Sequence, residues 1–507
     1  MDQALPDERR SWGQFFTPVE VADFLAQMCR VTNSNPRILD PGAGTGVLVC
    51  AVCEALANRG GSREIHIDAY EIAPPLKEYL EKCLLYLKDW LRRKSIGLSF
   101  RIFQQDFVLA NAESLAEEGS LFSSPPQSPY DLVIANPPYF KLPKSDPRAQ
   151  AAWSIVSGQP NIYAVFMAVS AALLKTGGEM VCITPRSYTA GGYFRLFREK
   201  FFARMQPQAL HLFDSRTEAF GRDEVLQENL ILRARRLDGW TATLPDLTVE
   251  VSQSAGGGDL SERKIRLVPL KEILDWTGKD KVLRLLLADE DDEVLKLVRQ
   301  WPGSLHHYGL EISTGPVVPF RATQFLSQSG QVPTTHAPLF WMQNVSPMRI
   351  EWPVKIRNKT QYIASEPESR QLLVKNSNYV LLRRFSAKEA ARRLVAAPYF
   401  ADRFNTPLVG LENHLNYVHR PKGTMSVEEV NGLSALFNSE LADSYFRTFN
   451  GNTQVSATEL RAFPLPPLAL IEKLGKRVFD AGGNLAIIDK LVNEMFRNGQ
   501  DKANDKD

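Results

Sequence analysis

The segment Asn136-Pro137-Pro138-Tyr139 contains residue types that could activate an aromatic amine. The exocyclic amine of a nucleobase is a poor nucleophile because its lone pair is delocalised into the ring. The side-chain oxygen of Asn136 and the carbonyl of Pro137 can together accept both amine hydrogens, which draws the nitrogen towards tetrahedral geometry. Tyr139 offers an aromatic face on which a base can stack. A strand that simply ends in a proline turn is the alternative that these four residues leave open.

The residues before this segment predict the element that positions it. Leu132 to Ile134 is a short apolar run typical of a buried strand in a parallel sheet. The two prolines end the strand, and Asn136, which precedes Pro137, is pushed towards an extended conformation. The result is a rigid loop at the carboxyl end of a strand, where open α/β sheets bind their ligands.

A glycine loop precedes this strand in the chain. Residues 38–40 predict a strand, Gly42, Gly44 and Gly46 follow at alternate positions, and a helical run extends from Val47 to Leu56. The glycines let the backbone approach a ligand closely, as dinucleotide-binding loops also do. Asp40 favours S-adenosylmethionine, because its carboxylate can hold the cationic amino group of the methionine moiety. The loop has no phosphate-binding lysine, which argues against a nucleoside triphosphate.

Two further acidic residues end predicted strands. Glu71 closes the strand predicted at 65–71, where it can accept both ribose hydroxyls, and Asp106 lies at the end of the run 102–107. Each acid alone could be a surface strand end. Because the carboxyl ends of parallel strands share one edge, the series predicts a single binding crevice.

Asn136-Pro137-Pro138-Tyr139 after a hydrophobic strand resembles the catalytic motif of S-adenosylmethionine-dependent amino-methyltransferases. The leader 13–18, Gly-Gln-Phe-Phe-Thr-Pro, comes before the cofactor loop and the catalytic loop. This order is similar to that of the gamma-class N6-adenine DNA methyltransferases, over Ser11 to Arg236. The resemblance implies a class I methyltransferase fold: an α/β domain with a Rossmann-like, mainly parallel sheet.

The resemblance also implies roles for individual residues. Thr17, expected at a helix N-cap, would contact the carboxylate end of the cofactor, and Asp106 would contact the cofactor's own adenine amine. Phe220 would stack on the flipped adenine opposite Tyr139, whereas Phe213 is expected in the core. The implied activity is site-specific adenine-N6 methylation of double-stranded DNA that protects it from a companion restriction endonuclease.

Other functions stay open at this point. An RNA or protein-glutamine methyltransferase is disfavoured by the leader and by the large C-terminal region. A modification subunit of a multisubunit restriction system would share the leader but borrow its recognition domain. A non-catalytic DNA-binding module is disfavoured by the presence of Asp40, Glu71, Asp106 and Asn136.

The second half of the chain predicts a separate domain. The catalytic domain is expected at 1–245, a linker or boundary zone at 246–280 around the flexible run 253–258, and a mixed α+β target-recognition domain at 281–495. A disordered tail is expected at 496–507. The recognition assignment depends on basic residues interleaved with aromatics and amides, such as Lys355, Arg357, Lys359, Arg383, Arg384, Phe385, Arg392, Arg393, Asn413, His414, Asn416, Tyr417, His419, Arg420 and Lys422.

Two segments resemble a narrower group. Ser313-Thr314-Gly315, together with 450–456 and 463–467, is similar to the PstI and BsuBI group of restriction-companion methyltransferases. That likeness implies a short palindromic target of the CTGCAG type, methylated by a monomer.

Composition sets the broad class. The chain has 507 residues, of which 44% are hydrophobic and 23% charged, and a formal net charge of +2. This composition predicts a soluble globular protein of two or three domains. Its polar start and its lack of a long apolar run predict a cytoplasmic protein of bacterial type without a membrane partner. Cys50 and Cys53 lie inside a predicted helix, so no metal site is expected.

Overall fold

The computed structural model describes residues 16–115, 129–213, 228–243, 246–332, 334–387, 389–451, 453–479 and 483–497. Contacts divide the chain into two compact units, Met1–Leu287 and Ala288–Asp507. The predicted stacking residue Phe220 and the leader up to Phe15 lie outside the described residues.

The first unit contains a nine-stranded sheet with strand order β3-β2-β1-β4-β5-β7-β6-β8-β9. The pairings from β3 to β5 and that of β6 with β8 are parallel, whereas β7 is antiparallel to both its neighbours and β9 is antiparallel to β8. The predicted α/β class with a mainly parallel sheet is confirmed. The strands are β1 Arg37–Asp40, β2 Glu64–Tyr70, β3 Gly97–Phe103, β4 Tyr130–Ala135, β5 Leu174–Pro185, β6 Met205–Phe213, β7 Asn229–Arg236, β8 Thr248–Ser254 and β9 Lys264–Pro269.

Helices connect the parallel strands and cover the sheet. The longest, α3, buries Leu76, Leu80, Leu84, Leu87 and Leu91, which recur every three or four residues and form one apolar face. Leu132 to Ile134 of β4 is fully buried, as expected of a strand covered on both faces. The helices are α1 Val19–Met28, α2 Val47–Arg59, α3 Pro74–Arg93, α4 Phe107–Ala110, α5 Pro147–Ala151, α6 Ile162–Leu173, α7 Arg195–Arg204 and α8 Leu270–Ile273.

The structure differs from the boundary zone predicted at 246–280. These residues contain β8 and β9, which extend the sheet beyond β6, and the first unit continues to Leu287. The glycine-rich run follows β8 and is held by Asp259, whose carboxylate accepts from the backbone N–H groups of Ala255 and Gly256 at 2.8 and 3.0 Å. Its flexible composition therefore belongs to a connection between two strands rather than to a linker between domains.

The second unit is a mixed α+β domain, as predicted. It contains a four-stranded sheet of order β10-β20-β17-β18, a five-stranded sheet of order β11-β15-β12-β19-β16 and the pair β13-β14. Its strands are β10 Glu311–Thr314, β11 Leu326–Ser327, β12 His336–Phe340, β13 Val345–Ser346, β14 Arg349–Ile350, β15 Tyr362–Ala364, β16 Leu373–Lys375, β17 Tyr379–Arg383, β18 Ala396–Tyr399, β19 Leu408–Leu411 and β20 Leu415–His419.

Two helices of this unit, Val427–Asn438 and Leu468–Phe479, pack unusually closely. A Cβ atom at Gly432 would lie 2.0 Å from the carbonyl oxygen of Ile471, and one at Gly475 would lie 1.9 Å from that of Glu428. Only glycine permits this approach. The helices of the unit are α9 Asp289–Arg299, α10 Val427–Asn438, α11 Glu440–Arg447, α12 Ala457–Arg461, α13 Leu468–Phe479 and α14 Leu485–Val492.

The disordered tail predicted from 496 begins too early. Residues Asn493–Arg497 form a further helical turn, and Phe496 is buried, with its ring centroid 5.7 Å from that of Trp301. Residues 498–507 lie outside the described residues. Across the described ranges, every helix is too short or too polar to cross a bilayer.

Candidate active site

The carboxyl ends of β1, β2 and β4 meet at one edge of the sheet and open onto a cavity. Its volume is about 430 Å³, within the range of about 300–1,000 Å³ that small-molecule sites occupy. Most of its walls come from the loops that follow these strands and β3. The lining residues are Phe16, Pro41, Gly42, Gly44, Tyr70, Glu71, Ile72, Leu76, Gln105, Asp106, Phe107, Asn136, Pro137, Pro138, Phe140, Arg148 and Phe166.

Asp40 ends β1 directly before the glycine loop. Its side chain is fully buried, and Oδ1 accepts from the backbone N–H of Gly42 at 3.2 Å. Among the described residues, Oδ2 has no hydrogen-bond partner. Burial raises the pKa of Asp40 to about 7, the Gly42 bond opposes this, and the nearby charge of Glu71 adds to it. The carboxylate is therefore suited to a cationic ligand group that would supply the missing partner.

Glu71 follows β2 and is fixed by backbone amides. Oε2 accepts from the N–H of Gly44 at 2.9 Å and Oε1 from that of Ala73 at 2.8 Å. Burial raises the pKa of this carboxyl, while these bonds lower it. Each carboxylate oxygen has two lone pairs, so both can still accept a hydroxyl hydrogen from a ligand.

Gly46 closes the glycine loop and begins α2 in a conformation that other residues rarely adopt. Its φ is +89°, and a Cβ atom there would lie 2.8 Å from Cδ1 of Leu80 in α3. Glycine is therefore required for two reasons: the positive φ disfavours other residues, and the side chain of Leu80 leaves no room for a Cβ atom.

Asp106 lies three residues beyond the end of β3. The run 102–107 had instead predicted that this residue lies within the strand. Asp106 caps α4, because its Oδ1 accepts from the N–H of Leu109 at 2.9 Å. Oδ2 lies 3.6 Å from Nη1 of Arg148, and Arg148 is also paired with Asp146 at 2.7 Å. The carboxylate faces the cavity with its position set by the helix terminus.

Aromatic rings form an apolar wall of the cavity. The ring of Phe107 lies between those of Tyr70 and Phe166, with centroid distances of 5.1 and 5.2 Å. A Cβ atom at Gly42 would lie 3.8 Å from Phe166, so the glycine loop passes directly against this wall. An apolar wall of aromatic rings suits a heteroaromatic ring, which can pack on their faces or edges.

Asn136 follows β4 and lies between two hydroxyl groups. Its Nδ2 donates to Oγ1 of Thr17 at 3.0 Å, and its Oδ1 accepts from the hydroxyl of Tyr139 at 2.7 Å. The prediction that Thr17 caps the first helix is wrong. Helix α1 begins at Val19 after Pro18, with no side-chain cap, because the Thr17 hydroxyl bonds to Asn136 instead.

Tyr139 is held at its hydroxyl. Besides Asn136, the hydroxyl contacts the carbonyl oxygen of Ile183 in β5 at 3.2 Å. Burial raises the pKa of Tyr139 well above its usual value, so the phenol stays protonated and remains a donor. The ring of Tyr163 is perpendicular to that of Tyr139, with the two ring centroids 6.4 Å apart. The Tyr163 hydroxyl lies 2.5 Å from that of Ser187.

The structure brings together most of the residues predicted from the sequence. Gly42, Gly44, Glu71, Asp106, Asn136, Pro137 and Pro138 line one cavity, and Asp40, Thr17 and Tyr139 contact its walls. Phe213 is fully buried against His211, with ring centroids 4.8 Å apart, as expected of a core residue. No group of three potential ligand side chains among the described residues is arranged to hold a metal ion.

Sequence reasoning missed several residues of the cavity. Phe166 and Arg148 belong to helices that pack against the crevice from other parts of the chain. Ile72 and Phe107 were also missed, although Ile72 directly follows the predicted Glu71. Phe107 directly follows the predicted Asp106, and that proximity is the one signal that could have indicated it.

Comparisons with known proteins identify relatives of this chain. The protein-family model described as Eco57I restriction-modification methylase matches residues 82–220. The chain is similar to the type II methyltransferase M.BsuBI of Bacillus subtilis, with 34% identity over 97% of this chain and 95% of that protein. It is also similar to M.PstI of Providencia stuartii, with 32% identity over 96% of this chain and 94% of that protein.

One solved structure resembles the chain along most of its length. It is the type IIL restriction-modification enzyme MmeI in complex with DNA, with a TM-score of 0.55 and 12% identity. The match covers 91% of this chain and 70% of that chain, and it shows a shared fold.

Proposed function

The chain belongs to the type II methyltransferases of restriction-modification systems, the family of M.BsuBI and M.PstI, and from this premise we propose that its first unit transfers a methyl group from S-adenosylmethionine to the N6 amine of a flipped-out adenine in DNA. The observation that carries the proposal is that Asn136 and Pro137 share one cavity with the glycine loop, Glu71 and Asp106. The two residues whose oxygens could accept the amine hydrogens therefore line the same cavity as the side chains that suit the cofactor.

The residues present fit S-adenosylmethionine. The buried Asp40 carboxylate has an oxygen without a partner among the described residues, which suits the cofactor's ammonium group. Glu71 would accept the ribose hydroxyls, Asp106 the adenine amine, and Thr17 would lie near the carboxylate end. The rings of Tyr70, Phe107 and Phe166 would pack against the adenine of the cofactor. When bound, the cofactor supplies an electrophilic methyl group on a sulfonium.

Asn136 and Pro137 would activate the target amine. The Oδ1 of Asn136 accepts a hydrogen bond from Tyr139, and an amide oxygen, which has two lone pairs, would accept one hydrogen of the target amine. The Pro137 carbonyl would accept the other hydrogen. Because the Asn136 amide also donates to Thr17, its oxygen is the atom turned away from that hydroxyl, which fixes the orientation that the chemistry needs.

The target adenine must leave the duplex to reach this cavity, which costs a few kcal/mol. Stacking on Tyr139, and on Phe220 from the other face, would offset about 1–3 kcal/mol for each contact. Phe220 lies outside the described residues and stays a prediction. No general base is needed first, since the methylated ammonium is strongly acidic and loses its proton readily to water.

The second unit would supply sequence recognition, and the chain would act as a monomer in the bacterial cytoplasm. The resemblance to the PstI and BsuBI group implies a short palindromic target of the CTGCAG type, and the similarity to M.BsuBI and M.PstI supports the membership in that group on which this target depends. In this role the chain protects its host DNA from a companion restriction endonuclease with the same target.

Plasmid protection tests the proposal. The chain is expressed in a host that carries a plasmid with many restriction sites, and the recovered plasmid is digested with a panel of restriction enzymes. Resistance confined to enzymes that cut CTGCAG, with N6-methyladenine in the digest, is the expected result. Unmodified DNA, together with methylation of RNA or of a protein glutamine by the same chain, would overturn it.

A further inference from the structure

The cavity wall contains a cation, Arg148, to which the proposed chemistry gives no role. This residue belongs to the connection between the catalytic loop and α6, and it lines the same cavity as Asp106. Only 27% of its side chain is exposed. Taking a guanidinium out of water is unfavourable unless carboxylates and hydrogen bonds compensate for it. The partners of Arg148 therefore indicate what a cation does at this place.

Asp146 fixes the guanidinium of Arg148. Its Oδ1 accepts from the backbone N–H and from Nε of Arg148, both at 2.9 Å, and its Oδ2 accepts from Nη2 at 2.7 Å. Such a bidentate pair restrains an arginine side chain in one orientation. The guanidinium carbon also lies 5.6 Å from the ring centroid of Phe140, the residue after the catalytic motif. Since Nε and Nη2 are engaged by Asp146, Nη1 is the end of the group that faces another partner.

That partner is the carboxylate of Asp106. Nη1 of Arg148 lies 3.6 Å from Oδ2 of Asp106, whereas Oδ1 accepts from the N–H of Leu109 at 2.9 Å. A carboxylate bonded through one oxygen can still pivot about that bond and turn its other oxygen away from the cavity. A fixed positive charge beside Oδ2 opposes this movement. Both oxygens of Asp106 are therefore held, and Oδ2 keeps lone pairs for a ligand.

We propose that Arg148, fixed by Asp146, is a positioning residue that keeps Oδ2 of Asp106 directed at the 6-amino group of the cofactor's adenine. An amino group at this position donates to a carboxylate oxygen, whereas the oxygen of a 6-oxopurine is an acceptor and is repelled by it. Arg148 thereby makes the cofactor site selective for adenine over other purines. The inference rests on the part of the proposed function that places the cofactor's adenine at Asp106.

Binding of two ligands measures this selectivity without DNA. The ligands are S-adenosylhomocysteine, the demethylated form of the cofactor, and its 6-deamino analogue, in which a hydrogen atom replaces the amino group. Calorimetric titration gives both Kd values for the wild-type chain and for Arg148→Met, which keeps a long side chain but removes the charge. The wild type should prefer S-adenosylhomocysteine by about tenfold to a hundredfold, since the amine donates to a charged acceptor. In Arg148→Met this preference should largely disappear, while the affinity for the analogue stays near the wild-type value.

Three further variants identify the source of the preference. Asp106→Ala should lose it as well, because the acceptor itself is removed. Arg148→Lys keeps a charge but cannot form the bidentate pair with Asp146, so it should retain part of the preference. Arg92→Met is the matched control, because it removes an exposed arginine that lies 3.5 Å from Asp89 in the last turn of α3. This control should change neither affinity.

The two affinities together decide between the possible roles of Arg148. An equal loss of both affinities in Arg148→Met would show a merely structural role, and a preference unchanged from the wild type would show that Asp106 needs no support. A weaker affinity for the analogue with the preference intact would place Arg148 against the purine ring itself. Each of these results overturns the inference, as does a full preference in Asp106→Ala. Selective binding of S-adenosylhomocysteine by a wild-type chain that methylates no DNA would instead refute the proposed function.

Discussion

The carboxamide of Asn136 is held from both ends before any substrate arrives. Thr17 accepts from its nitrogen and Tyr139 donates to its oxygen. An unrestrained amide could rotate and present its nitrogen to the adenine amine, which would place two donors against each other. The two hydroxyls therefore set the amide orientation that an acceptor role requires.

Tyr139→Phe tests this at the level of one atom. The variant keeps the ring for stacking but loses the hydroxyl that contacts Asn136 and Ile183. A lost hydrogen bond of about 1 kcal/mol predicts a fall of about fivefold to tenfold in the rate of methyl transfer. A fluorescent adenine analogue at the target position should give a near wild-type signal with Tyr139→Phe. With Tyr139→Ala the signal should change, and an unchanged signal there would refute the stacking role.

Asp40 predicts a pH dependence of cofactor binding. Burial raises its pKa to about 7, so the carboxyl is largely protonated below that pH and cannot balance the cofactor's ammonium group. Affinity should rise with pH, by about tenfold between about pH 6 and about pH 8. Calorimetric titration with S-adenosylmethionine measures this. Asp40→Asn should bind weakly with a flat pH profile, and the same slope in that variant would show that another group titrates.

Among the elements, the glycine loop is where sequence and packing are most closely linked. Gly46 and Gly60 both have a positive φ, of +89° and +76°, with ψ of 12° and 177°, but a Cβ atom at Gly60 would meet nothing within 4 Å. The two positions therefore separate the backbone strain from the steric clash with Leu80.

Gly46→Ala should lower the free energy of unfolding and weaken cofactor binding, whereas Gly60→Ala should cost only the backbone strain of about 1–3 kcal/mol. Pushing Leu80 away adds about 1–3 kcal/mol at Gly46 and moves the loop against the cavity. Denaturant melts and cofactor titrations of both variants check this. Equal effects of the two substitutions on both measurements would contradict the packing argument.

The elements that the sequence predicted well are those whose signal is local. Leu132 to Ile134 is apolar on both faces, and the buried strand β4 forms there. The strand β5 is harder to predict, because Gly177 and Gly178 are typical of the end of a helix and the apolar run of the strand begins only at Met180. Helix α6 instead ends at Leu173, and both glycines lie within β5, where a Cβ atom at Gly178 would meet three carbonyl oxygens at 3.0–3.2 Å. Such a close approach depends on a neighbouring strand and has no sign in the local sequence.

The same distinction holds for the site. Asp40 ends a strand, and Glu71 and Asn136 each follow one, so their meeting at one edge followed from the order of elements. The Thr17 contact with Asn136 spans 119 residues, and sequence rules assigned that hydroxyl to the nearer helix. Asn416 was predicted as part of a polar recognition group, but it is fully buried and donates to the carbonyl of Val455 at 2.9 Å.

At the scale of the whole molecule, the first unit has one cavity with the Asn136 loop, while a palindromic target carries an adenine on each strand. A monomer can therefore methylate one strand in each productive complex and must rebind for the other. Hemimethylated duplex should accumulate before the doubly methylated product. Labelling the two strands separately in a time course measures this. Simultaneous methylation of both strands would indicate two chains acting on one site.

The most direct test of the account is Asn136→Ala, assayed for methyl transfer and for cofactor binding on the same preparation. The cofactor should bind with near wild-type affinity, because Asp40, Glu71 and Asp106 remain. Methylation of adenine N6 should fall by about a hundredfold to a thousandfold, because the amine loses a positioned hydrogen-bond acceptor. Substantial methylation by the variant, or an equal loss of cofactor binding and activity, would contradict the role assigned to Asn136.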